Sequence, residues 1–438
     1  VKLMLLVLAA ALGLAGAAPA DPSAVLTAVR NKVIENIRRM PNYTCVQTIE
    51  RSYYTPAGRA PANCEQIASL AAPLKLMQTD RLRLEVAVSP DRELYSWVGA
   101  RSFGEGEISD IVRFGPIGTG SFAAYLGNIF GGRVTRMTYL GVAGEGGRSL
   151  MKFSYSVPKE QSRYRVRAGD GWVITAFEGA VLADAATGDL VELTIRTVGL
   201  PRETSTCESR STLHYSTFQI GDAGFLLPRE VRQRFVAITG MESENVSTFS
   251  ACREYRGESV VRFDADPDAV AAEARKKEEV TLQLRPGLLA SIEWTSPVDP
   301  ATAAAGDVLS ARLAQPLRDR HTHIVVPAGA AIEGRIVRVQ VNYTSPPSVV
   351  LVRRVEAIEI DGVRVPFPVR HYSDFEALRA AGRSPYRPDG ATPIRERMPG
   401  EEDCEALYFR PPRRLPAGQR SSWMTTKPPT GASPEPRP

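Results

Sequence analysis

RLRLEVAVS, residues 81–89, alternates at every position. Leu82, Leu84, Val86 and Val88 fall on one face of an extended chain, and Arg81, Arg83 and Glu85 on the other. Strand side chains point to opposite faces in turn. The pattern therefore predicts a strand in a sheet with one dry and one wet side, the habit of antiparallel sheets. RELYSWVGARSF, residues 92–103, reads as its hairpin partner. Similar short runs follow at 133–142, 149–157, 162–168, 172–184, 189–198, 212–220, 229–238 and 244–256. Turn chemistry separates them, as at Gly221-Asp222-Ala223-Gly224. This is a meander rather than a series of strand-helix-strand units.

Only two helices stand out beside it. Asp21 is a good N-cap, Pro22 suits the first helical position, and Leu26, Val29, Val33, Ile37 and Met40 recur at spacings of three and four before Pro41. The second is GTGSFAAYLGNIFGG, residues 118–132. There Phe122, Tyr125, Leu126, Ile129 and Phe130 make one apolar stripe, Ser121 can cap the start and Gly131-Gly132 can end it. The expected architecture is mainly β with few helices (α+β): a long curved antiparallel sheet carrying helices on its concave face.

Cys45 and Cys64 flank the first expected hairpin, and Cys207 and Cys252 lie in neighbouring strand candidates. A bridge closing the hairpin and a second bridge across strands are the pairings to expect. Sequence alone does not select a pairing, and Cys404 is the odd thiol. The chain opens with Lys2, then an apolar run from Leu3 to Leu14, then small residues up to Ala20. That is the pattern of an export signal, too short for the roughly 20 residues of a membrane span. No later stretch is apolar enough to span. The expected location is the periplasm or the exterior of a bacterial envelope, where disulfides persist.

Expected boundaries are 1–20 for the signal, 21–265 for the sheet domain and 266–279 for a charged helix or linker. A small β-barrel or sandwich over 280–371 and a largely disordered Pro/Arg-rich tail over 372–438 complete the chain. Asp361-Gly362 between alternating residues marks a hairpin in the second module. Six Arg/Lys against one Glu after residue 406 account for the whole formal charge of +5. The remaining body is near neutral, which argues against nucleic acid as a partner.

Catalytic motifs are lacking. No Gly-x-Ser-x-Gly elbow occurs, and residues 115–121, GPIGTGS, lack the lysine of a nucleotide loop. His321 and His323 share a strand face without a third metal ligand. The sequence points away from an enzyme, a cofactor or a metal. The functional hint is the apolar helix. Laid over the concave sheet, Phe122, Leu126 and Phe130 would line a cavity with Trp97 and bury acyl methylenes at ~0.8 kcal/mol each. The bland reading is that the same side chains only fill the core.

Residues 21–263 resemble the LolA-like superfamily of periplasmic proteins, which includes the carrier of outer-membrane lipoproteins. The parallels are NYTCVQTIER (42–51) after the first helix, the inserted apolar helix, and ATGDLVELTIR (186–196) leading to GFLLPREVRQRF (224–235). The resemblance implies a half-barrel with a helical lid over a cavity for acyl chains, and hence a lipid or lipoprotein as partner. VVPAGAAIEGRIVRV, residues 325–339, is similar to the β-barrel domain of the outer-membrane core subunit of type IV secretion machines. That implies docking to another envelope protein. Together these readings give an exported binding protein without a transmembrane segment in its mature chain. The alternative is a structural or sensory envelope protein that works through protein contacts and has no cavity.

Overall fold

A computed structural model of the chain describes residues 21–58, 63–69, 73–89, 92–100, 103, 108–122, 124–131, 136–145, 148–169, 171–255, 284–318, 324–372 and 398–427. The expected signal, the charged helix or linker over 266–279, His321 and His323 lie outside the described residues.

Helix α1 spans Pro22–Arg39. The Asp21 carboxylate accepts from the Ser23 and Ala24 amides at 3.2 and 3.3 Å, and Val25, Val29 and Val33 are buried. Strand β1 (Tyr43–Pro56) is joined to β2 (Leu74–Val88) through helix α2 (Cys64–Ser69), and β3 (Glu93–Trp97) follows. Helices α3 (Ile108–Ile111) and α4 (Ala124–Phe130) precede β4 (Arg136–Glu145) and β5 (Arg148–Val157). A small separate hairpin is made of β6 (Arg165–Ala168) and β7 (Gly171–Ile174). Then come β8 (Ala176–Asp184), β9 (Leu190–Val198), β10 (Thr206–Ile220), β11 (Ala223–Ala237) and β12 (Glu242–Glu254).

Every pairing in this part is antiparallel, in the order β3-β2-β1-β12-β11-β10-β9-β8-β5-β4. The sheet is an open half-barrel. The alternation of residues 81–89 is realised: Leu82, Leu84, Val86 and Val88 are all buried. They share one apolar core with α1 and α4.

The four bridging cysteines are those expected, but the pairing is different. Cys45 joins Cys252 and Cys64 joins Cys207. Geometry explains this. β1 rises ~3.3 Å per residue, so the eleven steps from Cys45 to Pro56 cover about 36 Å, and Cys64 lies beyond the far end. The start of β10, with Cys207, is at that far rim. The end of β12, with Cys252, lies beside Cys45, where the β1–β12 register shifts between Thr44 and Val46. Cys404 is outside any disulfide and buried.

The C-terminal body holds β13 (Leu289–Trp294), β14 (Val308–Leu313), β15 (Leu317–Arg318), β16 (Ile324–Val326), β17 (Ala331–Asn342), β18 (Ser348–Ile360), β19 (Val363–Pro366), β20 (Val369–His371), β21 (Glu405–Phe409) and β22 (Gln419–Thr425). Its sheet runs β20-β22-β13-β14-β17-β18, and β21 and β19 share the far edge of β18. The tail expectation is corrected here, because residues 398–427 are folded and supply two strands. This segment is rich in Arg and Pro, yet it places Trp423 at 0% exposure and Leu415 at 5% in the core. Glu405 pairs with the buried Arg353, which stacks over Trp294 at 4.2 Å.

The two bodies meet along the outer edge of β2. Residues 84–88 of β2 pair with β3, and residues 78–80 pair with β17. Between them Ala305 exchanges backbone hydrogen bonds with Arg81 and Arg83. Arg83 also pairs with Asp307, and Arg81 donates to the Ala301 carbonyl at 2.6 Å. One continuous sheet thus runs through both bodies.

Candidate functional site

Phe122, Leu126 and Phe130 are each 1% exposed and belong to the half-barrel core. The Phe122 ring packs edge-on against Tyr43 of β1 (5.9 Å) and Phe249 of β12 (4.8 Å), so the segment does lie across the sheet. Helix α4 begins at Ala124, so Phe122 precedes it. The Glu93 carboxylate reaches over from β3 to that preceding segment and accepts from the Gly120 amide at 2.8 Å, the Phe122 amide at 3.1 Å and the Tyr95 hydroxyl at 2.6 Å. Burial pushes the Glu93 carboxyl up, and these three donors offset part of that. The hydroxyls of Tyr43 and Tyr215 face the same buried region, and neither has a hydrogen-bond partner among the described residues. Burial raises both above the usual phenol value.

The fourth expected residue, Trp97, stands apart from that helix. It lines a cleft of about 530 Å³ where the half-barrel meets the C-terminal body. That volume falls in the range of small-molecule sites. One wall is apolar: Leu82, Trp97, Ile111, Val112, Phe114 and Val339. Three methionines, Met77, Met241 and Met398, supply the adaptable surface that thioether side chains give. None of Phe122, Leu126 or Phe130 reaches this cleft.

Its polar part is a set of fixed ion pairs. Arg51 grips Asp80 through Nε (2.6 Å) and Nη2 (2.7 Å), donates from Nη1 to the Phe114 carbonyl at 2.5 Å, and is itself only 3% exposed. The Tyr53 hydroxyl donates to Asp80 at 3.2 Å. Arg338 binds both oxygens of Glu401 at 2.8 Å. Arg335 reaches Glu356 at 3.0 Å and donates to the carbonyls of Val98 (2.6 Å) and Gly306 (2.7 Å), one in each body. Burial works against ionisation of Glu356, but Arg335 and Arg354 outweigh it and hold the carboxyl below the usual range. The rim cation Arg113 is exposed and has no partner among the described residues.

Gly306 fixes the back of the cleft. Its φ is +104°, and an added Cβ would stand 2.1 Å from the Arg83 carbonyl oxygen and 2.8 Å from the Trp97 ring. Among the described residues no three His, Cys, Asp or Glu side chains gather in a metal-binding group. The cleft thus sets apolar side chains beside fixed ion pairs.

Sequence reasoning missed most of the cleft. Met398 and Glu401 lie in the supposed tail, and Arg335 and Val339 lie in the second module. Residues 78–81, Gln-Thr-Asp-Arg, break the alternation, so the part of β2 that pairs with β17 carries no periodic signal.

No family model matches the chain, and no curated protein matches it. Solved structures do. The LolA superfamily protein NE2245 from Nitrosomonas europaea is 10% identical over 57% of this chain and 96% of its own, with a TM-score of 0.25. A putative outer membrane lipoprotein-sorting protein domain from Vibrio parahaemolyticus is 12% identical over 57% and 99%, with a TM-score of 0.26. A DUF1329 family protein from Desulfovibrio piger is 9% identical over 56% and 98%, with a TM-score of 0.25. The chain is thus similar to LolA-like proteins. Likeness of that degree says nothing of what this chain binds.

Proposed function

We propose that the protein is a cell-envelope binding protein that holds an acyl chain or similar amphipathic ligand, free or attached to a lipoprotein, in the cleft between its two bodies. The observation that carries this reading is the joining of an apolar wall built on Trp97, Leu82 and Val339 to ion-paired Arg51 and Arg338 and the exposed Arg113 within one 530 Å³ space. Two disulfides tie distant parts of the half-barrel together, in keeping with an oxidising location in the periplasm or outside the cell. No helix among the described residues is long and apolar enough to cross a membrane. Phe122, Leu126 and Phe130 serve the ligand only if the segment bearing them lifts from the sheet, which would break the Glu93 anchor.

Native mass spectrometry of gently purified protein, followed by titration with a fluorescent fatty acid, tests the reading. Retained lipid or saturable uptake is expected, with Trp97→Ala weakening uptake by about tenfold, ~1.4 kcal/mol. No retained lipid and no uptake would refute it. A second reading, a structural or sensory protein acting through protein contacts, is favoured by the close packing of Phe122 against Tyr43 and Phe249. It expects crosslinked protein partners in intact cells and no lipid.

A further inference from the structure

The hairpin β6–β7 stands outside the main sheet, anchored at its base and packed along β6 against the turn Arg202–Thr204, with Val166, Ala168 and Val173 half-buried. Tyr164, just before it, stacks on Tyr125 of α4 at 5.7 Å, and its carbonyl accepts from the Thr175 amide at 3.1 Å. Beyond that anchor one face of the hairpin carries Arg165 and Arg167 opposite Ile174 and Trp172. Both guanidiniums lie over the Trp172 ring, at 5.4 and 5.5 Å, and the ring is 41% exposed. Arg163 is exposed beside them. None of the three arginines meets a carboxylate among the described residues. Among the described residues the adjoining turns bring Glu160 (Lys159–Gln161) and Glu203 (Arg202–Thr204), and each turn also bears a cation.

A second feature lies on the same rim of the half-barrel. β8 starts beside Ile174, β9 ends at Val198, β11 ends before Ile238, and β12 starts after Met241. Val198, Ile238 and Met241 are all 40% exposed or more. Large apolar side chains thus mark the ends of β9, β11 and β12, with the Cys64–Cys207 bridge at the start of β10 between them, on the way from the hairpin to the cleft that Met241 lines. Five inter-strand steps separate β8 from β1 at that cleft, about 24 Å at ordinary strand spacing.

Exposed tryptophan flanked by arginine fits the boundary between water and lipid, where the ring sits at headgroup level and guanidiniums pair with lipid phosphates. We infer that this rim is a docking surface for an anionic phospholipid bilayer, with the β6–β7 hairpin as its basic, aromatic tip and the exposed strand ends as its apolar edge. Positive charge and apolar surface are supplied together, and the mouth of the cleft is brought to the membrane side. The inference goes beyond the cleft reading, because docking is measured without any ligand in the cleft.

The test is co-sedimentation of the full, disulfide-intact chain with vesicles of phosphatidylcholine alone and of phosphatidylcholine mixed with phosphatidylglycerol. Binding to the mixed vesicles and not to the neutral ones is expected, falling as salt is raised. An arginine near an anionic surface is worth roughly fivefold in affinity, so Arg165→Ser with Arg167→Ser should weaken binding on the order of 25-fold. Trp172→Ala should also weaken it, while Arg253→Ser, on another part of the sheet, should not. Unchanged thermal melting of each variant excludes misfolding. Failure to bind the mixed vesicles, or binding that ignores both hairpin variants, overturns the inference. So does a preference for a soluble anionic polysaccharide with no vesicle binding.

Discussion

Replacing Arg335 by methionine should uncouple the two bodies and open the cleft at its back. The guanidinium is 3% exposed and holds three partners at once: Glu356, the Val98 carbonyl and the Gly306 carbonyl. Methionine keeps much of the apolar stem and removes every donor. Each buried carbonyl left without its donor costs about 1–3 kcal/mol. Breaking a buried ion pair ordinarily costs about 3–5 kcal/mol, but Glu356 keeps Arg354 at 2.7 Å, so the charge is not stranded. Low-end values for the two carbonyls and a reduced penalty for the pair give about 3 kcal/mol. Arg354→Met is the control. Arg354 is 40% exposed, and its loss should cost no more than about 1 kcal/mol. Urea unfolding followed by tryptophan fluorescence reads both, since Trp97 reports the junction and the buried Trp294 and Trp423 report the C-terminal body. Arg335→Met should lower the midpoint and split the transition as the bodies unfold separately. A loss below about 1 kcal/mol, or one equal to that of Arg354→Met, would refute the view that Arg335 bolts the junction.

Two buried carboxyls should respond to pH with opposite sign. The Glu93 carboxyl is raised in the fold, so the native protein loses stability as pH climbs from the ordinary unfolded value near ~4.3 through the raised one. Glu93→Gln should therefore gain on wild type as pH rises, and a melting-temperature difference that is flat or reversed contradicts this. The Glu356 carboxyl is depressed, so its contribution is present above ~4.3 and lost as pH falls; Glu356→Gln should be costly at neutral pH and match wild type in acid, checked in the same melts. Removing the Cys64–Cys207 bridge by paired serine substitution should cost about 2–5 kcal/mol in chemical denaturation, because it releases a long loop. Gly306→Ala should weaken fatty-acid uptake along with stability, since the new Cβ meets both the Arg83 carbonyl and the Trp97 ring; unchanged uptake would remove Trp97 from the site.

Local signals were the ones the sequence carried well. The alternation of residues 81–89 and the Asp21-Pro22 start of α1 are short-range patterns, and both elements formed as read. The four bridging cysteines were legible as a set. Their pairing was not, because it depends on which strand ends share a rim, a property of the whole meander. The anchoring of the segment before the apolar helix was not legible, because Glu93 is distant in sequence and arrives only through β3. The last two strands were hidden by composition: a segment rich in Arg and Pro buries Trp423 and pairs Glu405 with Arg353, and sparse apolar residues give no periodicity to read. The cleft was invisible for a related reason. It exists only because β17 pairs with the first part of β2, and nothing local to either strand announces that partner.

Photolabelling decides where an apolar ligand sits. A fatty acid bearing a photoreactive group is irradiated with the intact protein, and the modified peptides are identified by mass spectrometry. Label on the peptides holding Leu82, Trp97, Ile111 and Val339, competed away by unlabelled fatty acid, is the expected result. Label on the Phe122–Phe130 segment alone, or none that competitor removes, would contradict a binding cleft at the junction.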